Sequence, residues 1–297
     1  MPSCSSSCPS RSASCPSPSS GGGNCPEGAA LQDAAIAATL KGIRHKIFVM
    51  SGKGGVGKSS VTVNTAAALA DAGYRVGILD VDMHGPSVPN LLGLASSIEA
   101  DEATGRLLPA PHGDRLSVIS MDTLLQDKNQ AVLWRGPKKT AAIRQFIADV
   151  QWGELDFLLI DSPPGTGDEH MTILKTIPDA LCLVVTTPQE ISLADVRKAL
   201  NFLQYAGAAI LGLAENMSGL ACPHCRRHIS LFKSGGGAEL AKRHGLRFLG
   251  AIPLDPAAVE AADSGLPVVR LEGESPAKEA FLELARAVAA AAEGGQP

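Results

Sequence analysis

The stretch Gly52-Lys53-Gly54-Gly55-Val56-Gly57-Lys58-Ser59 follows the aliphatic run Ile47-Phe48-Val49-Met50 and opens the helical pattern Lys58–Ala72. No other feature restricts the fold as much. The spacing G-x-x-x-x-G-K-[ST] works where a strand stops, the backbone turns through glycines and a helix starts at once. Glycines let successive N–H groups point inward around phosphate oxygens, and the helix N-terminus adds a partial positive charge. In that setting Lys58 reaches the β- and γ-phosphates and the Ser59 hydroxyl ligates Mg²⁺.

The rest of the chain repeats the alternation. Strands are expected at Lys46–Met50, Arg75–Asp80, Leu116–Ser120, Asp156–Asp161, Leu181–Thr186, Ala209–Glu215 and Arg247–Ala251. Helices are expected at Gln32–Lys41, Lys138–Val150, His170–Thr176, Leu193–Tyr205, Gly237–Gly245, Asp255–Ala262 and Ala277–Ala292. Unbroken aliphatics such as Phe157–Ile160 imply burial on both faces. The expectation is an α/β fold with a doubly wound, mostly parallel sheet and helices on both faces. Residues 1–28 are Ser, Pro, Cys or Gly at 23 of 28 positions, too little apolar material for a core. They read as a flexible tail, 29–43 as a short helical linker, 44–292 as one domain with an insertion near 217–236, and 293–297 as a C-terminal tail.

Composition narrows the function. The net charge of −4 gives no support to a nucleic-acid partner. No apolar run reaches the roughly 18–20 residues of a membrane span, so no membrane partner is expected. The tail lacks the apolar segment of a secretory signal, which points to a cytoplasmic protein with reduced thiols.

Three carboxylates fall at strand ends, where a doubly wound sheet opens its ligand crevice. Asp161 closes Leu158-Leu159-Ile160-Asp161 and suits a Mg²⁺ carboxylate acting through water. Asp80 and Asp82 form a pair after the second strand. Asp82 is the favoured orienter of the attacking water and a further Mg²⁺ candidate, although spacing alone barely separates it from Asp80. Gly165-Thr166-Gly167 has the freedom a γ-phosphate sensor needs. Asn216 either reads a purine edge through its amide or caps a turn.

The seven cysteines divide into three groups. Cys222 and Cys225 form a C-x-x-C able to share a metal or cluster; His224 and His228 offer a zinc alternative within one chain. Cys4, Cys8, Cys15 and Cys25 read C-x₃-C-x₆-C-x₉-C and offer a second ligand set, or belong to an inert low-complexity tail. Cys182 lies in an apolar strand and reads as a buried thiol.

Lys53, directly after the first motif glycine, resembles the extra lysine of the signature-lysine ATPases with their deviant Walker A loop. That resemblance implies ATP as ligand and a lysine that reaches the nucleotide of a second subunit; a solvent-exposed lysine is the alternative. More broadly, the chain resembles the Mrp/ApbC/Nbp-type P-loop ATPases, scaffolds and carriers of iron–sulfur clusters, from about Arg44 to about Ala292. The likeness rests on Gly52–Ser59, Asp80–Ser87, Trp134-Arg135-Gly136-Pro137, Asp161–Asp168, Glu215-Asn216-Met217-Ser218 followed by Cys222 and Cys225, and Ile252-Pro253-Leu254. It implies a slow ATPase, with Lys53, Lys58, Asp80 and Asp82 as catalytic candidates. Gly52–Ser60, Asn216 and Pro253 would bind nucleotide. Cys222 and Cys225 would bridge a 4Fe–4S cluster across a homodimer that serves apo iron–sulfur proteins. The tail departs from the family, where two of its cysteines are separated by only two residues.

Two other readings compete. Partition or septum-site ATPases act in spatial organisation, but the helix pattern Lys278–Glu293 carries only Lys278 and Arg286 as basic residues, which is poor for membrane docking. A zinc-stabilised nucleotide-binding module is the other. The expected effect of Lys53→Ala is loss of ATP turnover with ATP binding retained; turnover near wild type would remove the cross-subunit role.

Overall fold

The computed structural model describes residues 26–82, 85, 87–94, 99–121, 136–221 and 227–294. Alternate side chains of strand β1 (Ile43–Ser51) enter two separate cores. Phe48 and Met50 join one apolar cluster, and Ile47 and Val49 join the other, all fully buried. Strand β7 (Leu155–Asp161) divides in the same way, with Leu158 and Ile160 against Phe157 and Leu159. A strand covered on both faces must be apolar throughout, which is why these segments read as unbroken aliphatics.

Parallel pairings join β11 (Phe248–Leu254), β9 (Ala209–Ala221), β8 (Leu181–Thr186), β1, β7, β2 (Val76–Asp80) and β6 (Leu116–Ser120) in that spatial order. Two short antiparallel strands extend the sheet: β5 (Ala110–Pro111) on β6 and β10 (His228–Ile229) on β9. Between β2 and β5 lie the one-turn helix α3 (Val88–Leu91) and a separate hairpin of β3 (Glu99–Ala100) and β4 (Leu107–Leu108). Both neighbours of β1 come later in the chain. That reversal of strand order opens a crevice at the carboxyl ends of the strands.

One face of the sheet is covered by α1 (Pro26–Lys41), α4 (Gly136–Asp149), α5 (Asp168–Thr176), α6 (Glu190–Ala206) and α7 (Gly236–Arg243). The other is covered by α2 (Lys58–Asp71), α3 and α9 (Pro276–Glu293). Helix α2 is buried along most of its length, and its alanines Ala66, Ala67, Ala68 and Ala70 let it sit close between the sheet and α9. Helix α8 (Pro256–Asp263) follows β11, with Asp255 as its N-cap accepting from the Ala257 N–H at 3.0 Å. Capping of this kind satisfies one of the unpaired N–H groups of a first turn. The same Asp255 carboxylate accepts from Ser275 Oγ at 2.5 Å, tying the starts of α8 and α9 together.

The expected strands and helices are present, several of them longer: β11 runs on to Leu254 and α6 starts at Glu190. Helix α1 starts at Pro26, six residues before Gln32; Ile36 and Leu40 anchor it to the core and Asp33 pairs with Arg144 of α4. Strand β1 starts at Ile43, which pairs with Leu155. Strand β9 continues past Glu215 to Ala221, since it pairs on β11 as far as Leu220 and then on β10. Among the described residues no helix is long and apolar enough to cross a membrane.

Ile36→Ala should lower stability by about 2–5 kcal/mol, the usual range for emptying a buried aliphatic site. A urea midpoint shifted at constant slope would register it; an unmoved midpoint would mean that α1 does not contribute to the core.

Candidate nucleotide-binding site

Helix α2 starts at Lys58 directly after the loop, with Gly57 at its N-cap in the left-handed region (φ 79°). Two glycines are fixed by space as well as by dihedral. A Cβ at Gly52 would lie 2.5 Å from the carbonyl carbon of Asp195 in α6, and one at Gly57 would collide with the Asn216 side-chain amide. The loop is therefore wedged between α6 and the end of β9. The Gly165 N–H donates to the Ser51 carbonyl at 3.2 Å, so the chain after β7 is tied to the end of β1 as well.

Asp161 ends β7 beside this loop and is completely buried. Its Oδ2 accepts from Ser59 Oγ at 2.6 Å and pairs with Lys58 Nζ at 2.8 Å; its Oδ1 accepts from Thr62 Oγ1 at 2.7 Å. Burying a carboxylate is tolerable when its lone pairs are filled in this way. A serine hydroxyl and a carboxylate at 2.6 Å beside a phosphate-sized cavity are the hard oxygen donors that suit Mg²⁺. When bound there, Mg²⁺ would neutralise charge on the phosphate oxygens.

The sequence left Asp80 and Asp82 close to interchangeable, whereas their surroundings differ sharply. Asp80 is the last residue of β2, paired in register with Asp161 and Ser120. It is fully buried, and its carboxylate accepts from the Asp82 N–H at 3.0 Å and from Ser120 Oγ at 2.8 Å. Burial, and then the nearby Asp161 charge, hold its pKa well above the usual carboxylate range. Asp82 lies past the strand and lines a cavity of about 270 Å³ together with Lys53, Lys58, Ser59 and Ser87.

A second cavity of about 200 Å³ shares Gly57, Ser60 and Leu91 with this one as lining. Its walls include Asn216, Met217, Pro253 and Val259. It is largely apolar with a few polar groups, as a purine pocket should be. The Asn216 amide does not stand free: its Nδ2 donates to the Val56 carbonyl at 2.8 Å. It holds the phosphate loop.

Two residues that sequence reasoning left without a role, Thr62 and His170, belong here; a third, Glu215, lines neither cavity. Thr62 holds Asp161 from one turn into α2. His170, completely buried against Phe48, keeps its Nδ1 as acceptor for the Gly167 N–H at 3.3 Å. Burial, opposed by Glu169 and assisted by Lys58, lowers its pKa to about 4, so it is neutral at physiological pH. Glu215 is also buried, and it binds backbone further along the chain. A carboxylate ending the apolar run Leu211-Gly212-Leu213-Ala214 is the same signal that marked Asp161. Cys222 and Cys225, like Cys4, Cys8, Cys15 and Cys25, lie outside the described residues, as do Trp134 and Arg135. Cys182 is buried in β8, and burial pushes its thiol up to about 12.

Residues 42–289 match the ParA group described as NUBPL iron-transfer P-loop NTPase. An iron–sulfur cluster carrier protein of Methanocaldococcus jannaschii is 46% identical over 274 residues, covering 91% of this chain and 93% of its own. The human cytosolic Fe-S cluster assembly factor NUBP2 is 44% identical over 263 residues, covering 87% and 97%. Among solved structures, a nucleotide-binding protein of Archaeoglobus fulgidus in complex with ADP is similar with a TM-score of 0.72 at 37% identity, covering 84% of this chain and 96% of its own.

The contrast between the two aspartates is testable. Asp82→Asn should lower kcat at least about a hundredfold, the size of a lost positioning or proton-accepting group, with nucleotide affinity kept. Asp80→Asn mimics a protonated carboxyl and removes a buried charge, so its urea midpoint should equal or exceed wild type. The reverse pattern in steady-state kinetics and denaturation would exchange the roles.

Proposed function

We propose that this chain, which belongs to the NUBPL iron-transfer P-loop NTPase family, carries an iron–sulfur cluster as cargo and uses ATP to control its hold on it. Its relatives in Methanocaldococcus jannaschii and human are a cluster carrier and a cytosolic cluster assembly factor, which supports the same work here and a cytoplasmic location. The carrying observation is the course of β9. It leaves the nucleotide cavity at Asn216 and reaches Ala221, which pairs with His228 of β10. Cys222 and Cys225 fall in the six residues between that pair. One strand thus joins the nucleotide cavity to the thiol segment.

The steps follow from charge and position. ATP phosphates entering the 270 Å³ cavity meet Lys58, which exchanges its Asp161 partner for phosphate oxygens. Ser59 and Asp161, whose oxygens lie together, would hold Mg²⁺, which would neutralise phosphate charge. Asp82 orients the attacking water, and Lys53 reaches the nucleotide of a second copy of the chain. Phosphoryl transfer of this kind is driven by positioning and charge compensation. Two subunits contribute two thiolates each, from Cys222 and Cys225, to a 4Fe–4S cluster between them. A cluster bound by thiolates releases protons on binding, so its retention rises with pH. Apo iron–sulfur proteins are the recipients.

The second reading, a zinc-stabilised nucleotide-binding module, is separated by one experiment. Anaerobic reconstitution with iron and sulfide should give visible absorption and iron per dimer near that of one cluster. The Cys222→Ala/Cys225→Ala double variant should lose it. Zinc in place of iron in freshly purified protein, or full cluster content in the double variant, would overturn the assignment.

A further inference from the structure

Glu215 and Asn216 are adjacent on β9, yet they bind different parts of the molecule. Asn216 grips the phosphate loop at the Val56 carbonyl. Glu215 grips both limbs of the segment that runs out to the C-x-x-C and back. Its Oε1 accepts from Ser218 Oγ at 2.5 Å on the outgoing limb and from the Gly235 N–H at 2.9 Å on the returning one. Its Oε2 accepts from the Gly237 N–H at 2.5 Å, in the first turn of α7. The carboxylate is fully buried. The cost of that burial is offset by these donors and by the positive end of α7.

The residue after these two, Met217, is one of two non-glycine residues with positive φ among those described, at 58°. Such a conformation is strained for a residue with a side chain and persists only where the surroundings enforce it. Here the enforcement is visible. Asn216 is drawn toward Val56, Ser218 is drawn back to Glu215, and Met217 takes the bend between the two grips. Met217 also lines the 200 Å³ cavity that adjoins Gly57 and Ser60. A group filling that cavity would lie against Met217, and the phosphate loop is tied to the same bend through Asn216.

We propose that Glu215 is a positioning residue that transmits nucleotide occupancy to the thiol segment. The inference rests on the carrier reading above. It adds a specific lever: displacement at Val56 or Met217 is carried through one residue to a carboxylate that sets both ends of residues 218–235. Such a device requires that nucleotide favour one arrangement of the clamp over another.

The test uses reconstituted full-length protein. The rate of iron release to a chelator is followed by loss of visible absorption, with ADP and with a non-hydrolysable ATP analogue. In wild type the two rates should differ by about fivefold or more, the lower end of ordinary coupling between sites. In Glu215→Gln, which turns one acceptor oxygen into a donor facing an N–H, the ratio should fall to about one. Its nucleotide hydrolysis without cluster should stay within about twofold of wild type. A residue that merely supported the fold would lower cluster content in every nucleotide state and leave the ratio intact, and that result overturns the inference. Ser218→Ala removes only the outgoing-limb contact and should lower the ratio in the same direction; it decides the matter if Glu215→Gln fails to fold. A ratio unchanged in Ser218→Ala would then overturn the proposal. Wild-type protein that holds no cluster would overturn the carrier reading itself, and one whose release ignores nucleotide would overturn the lever alone.

Discussion

A carboxylate sealed from water has to be surrounded by donors, and Asp161 obtains all of its donors from the first turn and a half of α2. That single cluster fixes the angle between β7 and α2, and hence the shape of the loop between β1 and α2. It also keeps the Lys58 ammonium, which is nearly buried, from standing uncompensated. Removing one member of such a buried pair typically costs several kcal/mol, because the other is left unpaired. On the function proposed above, nucleotide oxygens replace Asp161 at Lys58, an exchange of partners at groups already in place. An exchange of this kind avoids much of the ordering cost that a flexible loop would add to association.

The second layer of control lies at the far end of β9. Four buried polar groups stand at the carboxyl ends of strands: Asp80, Asp161, Thr186 and Glu215 close β2, β7, β8 and the part of β9 paired with β8. Asp161 adjoins the phosphate loop through Lys58 and Ser59. Glu215 repeats the same solution, a buried carboxylate at a strand end satisfied by N–H and O–H donors, at a place where the donors belong to another segment. The fold thus uses one physical device twice, once for a hydroxyl and an ammonium and once for a segment of backbone.

How much of this was legible in the sequence depended on whether the partners were close along the chain. The phosphate loop, the parallel strands and Asp161 were readable because glycine spacing, aliphatic runs and a terminal carboxylate are local patterns. Asp80 and Asp82 were not separable, since they differ only in which side of the strand end they fall; pairing with Asp161 and Ser120 decides it. The Asn216 amide was open to two readings because its acceptor, the Val56 carbonyl, lies 160 residues away. The early start of α1 escaped notice because Pro26 and Gly28 are poor helix formers, and the contacts that override them come from α4. The extension of β9 was hidden by Asn216, Ser218 and Gly219, which do not look like strand residues until β11 supplies a partner.

Cys182 has a use apart from chemistry. It sits in β8 with Phe48 of β1 in register on one side and Ile210 of β9 on the other, and its thiol is both buried and hard to ionise. Thiolate, not thiol, is the reactive form, so this position stays silent toward alkylating reagents while the sheet is intact. Its modification therefore reports that neighbouring strands at the centre of the sheet have parted. The chain carries a built-in gauge of its global opening, distinct from events at its other thiols.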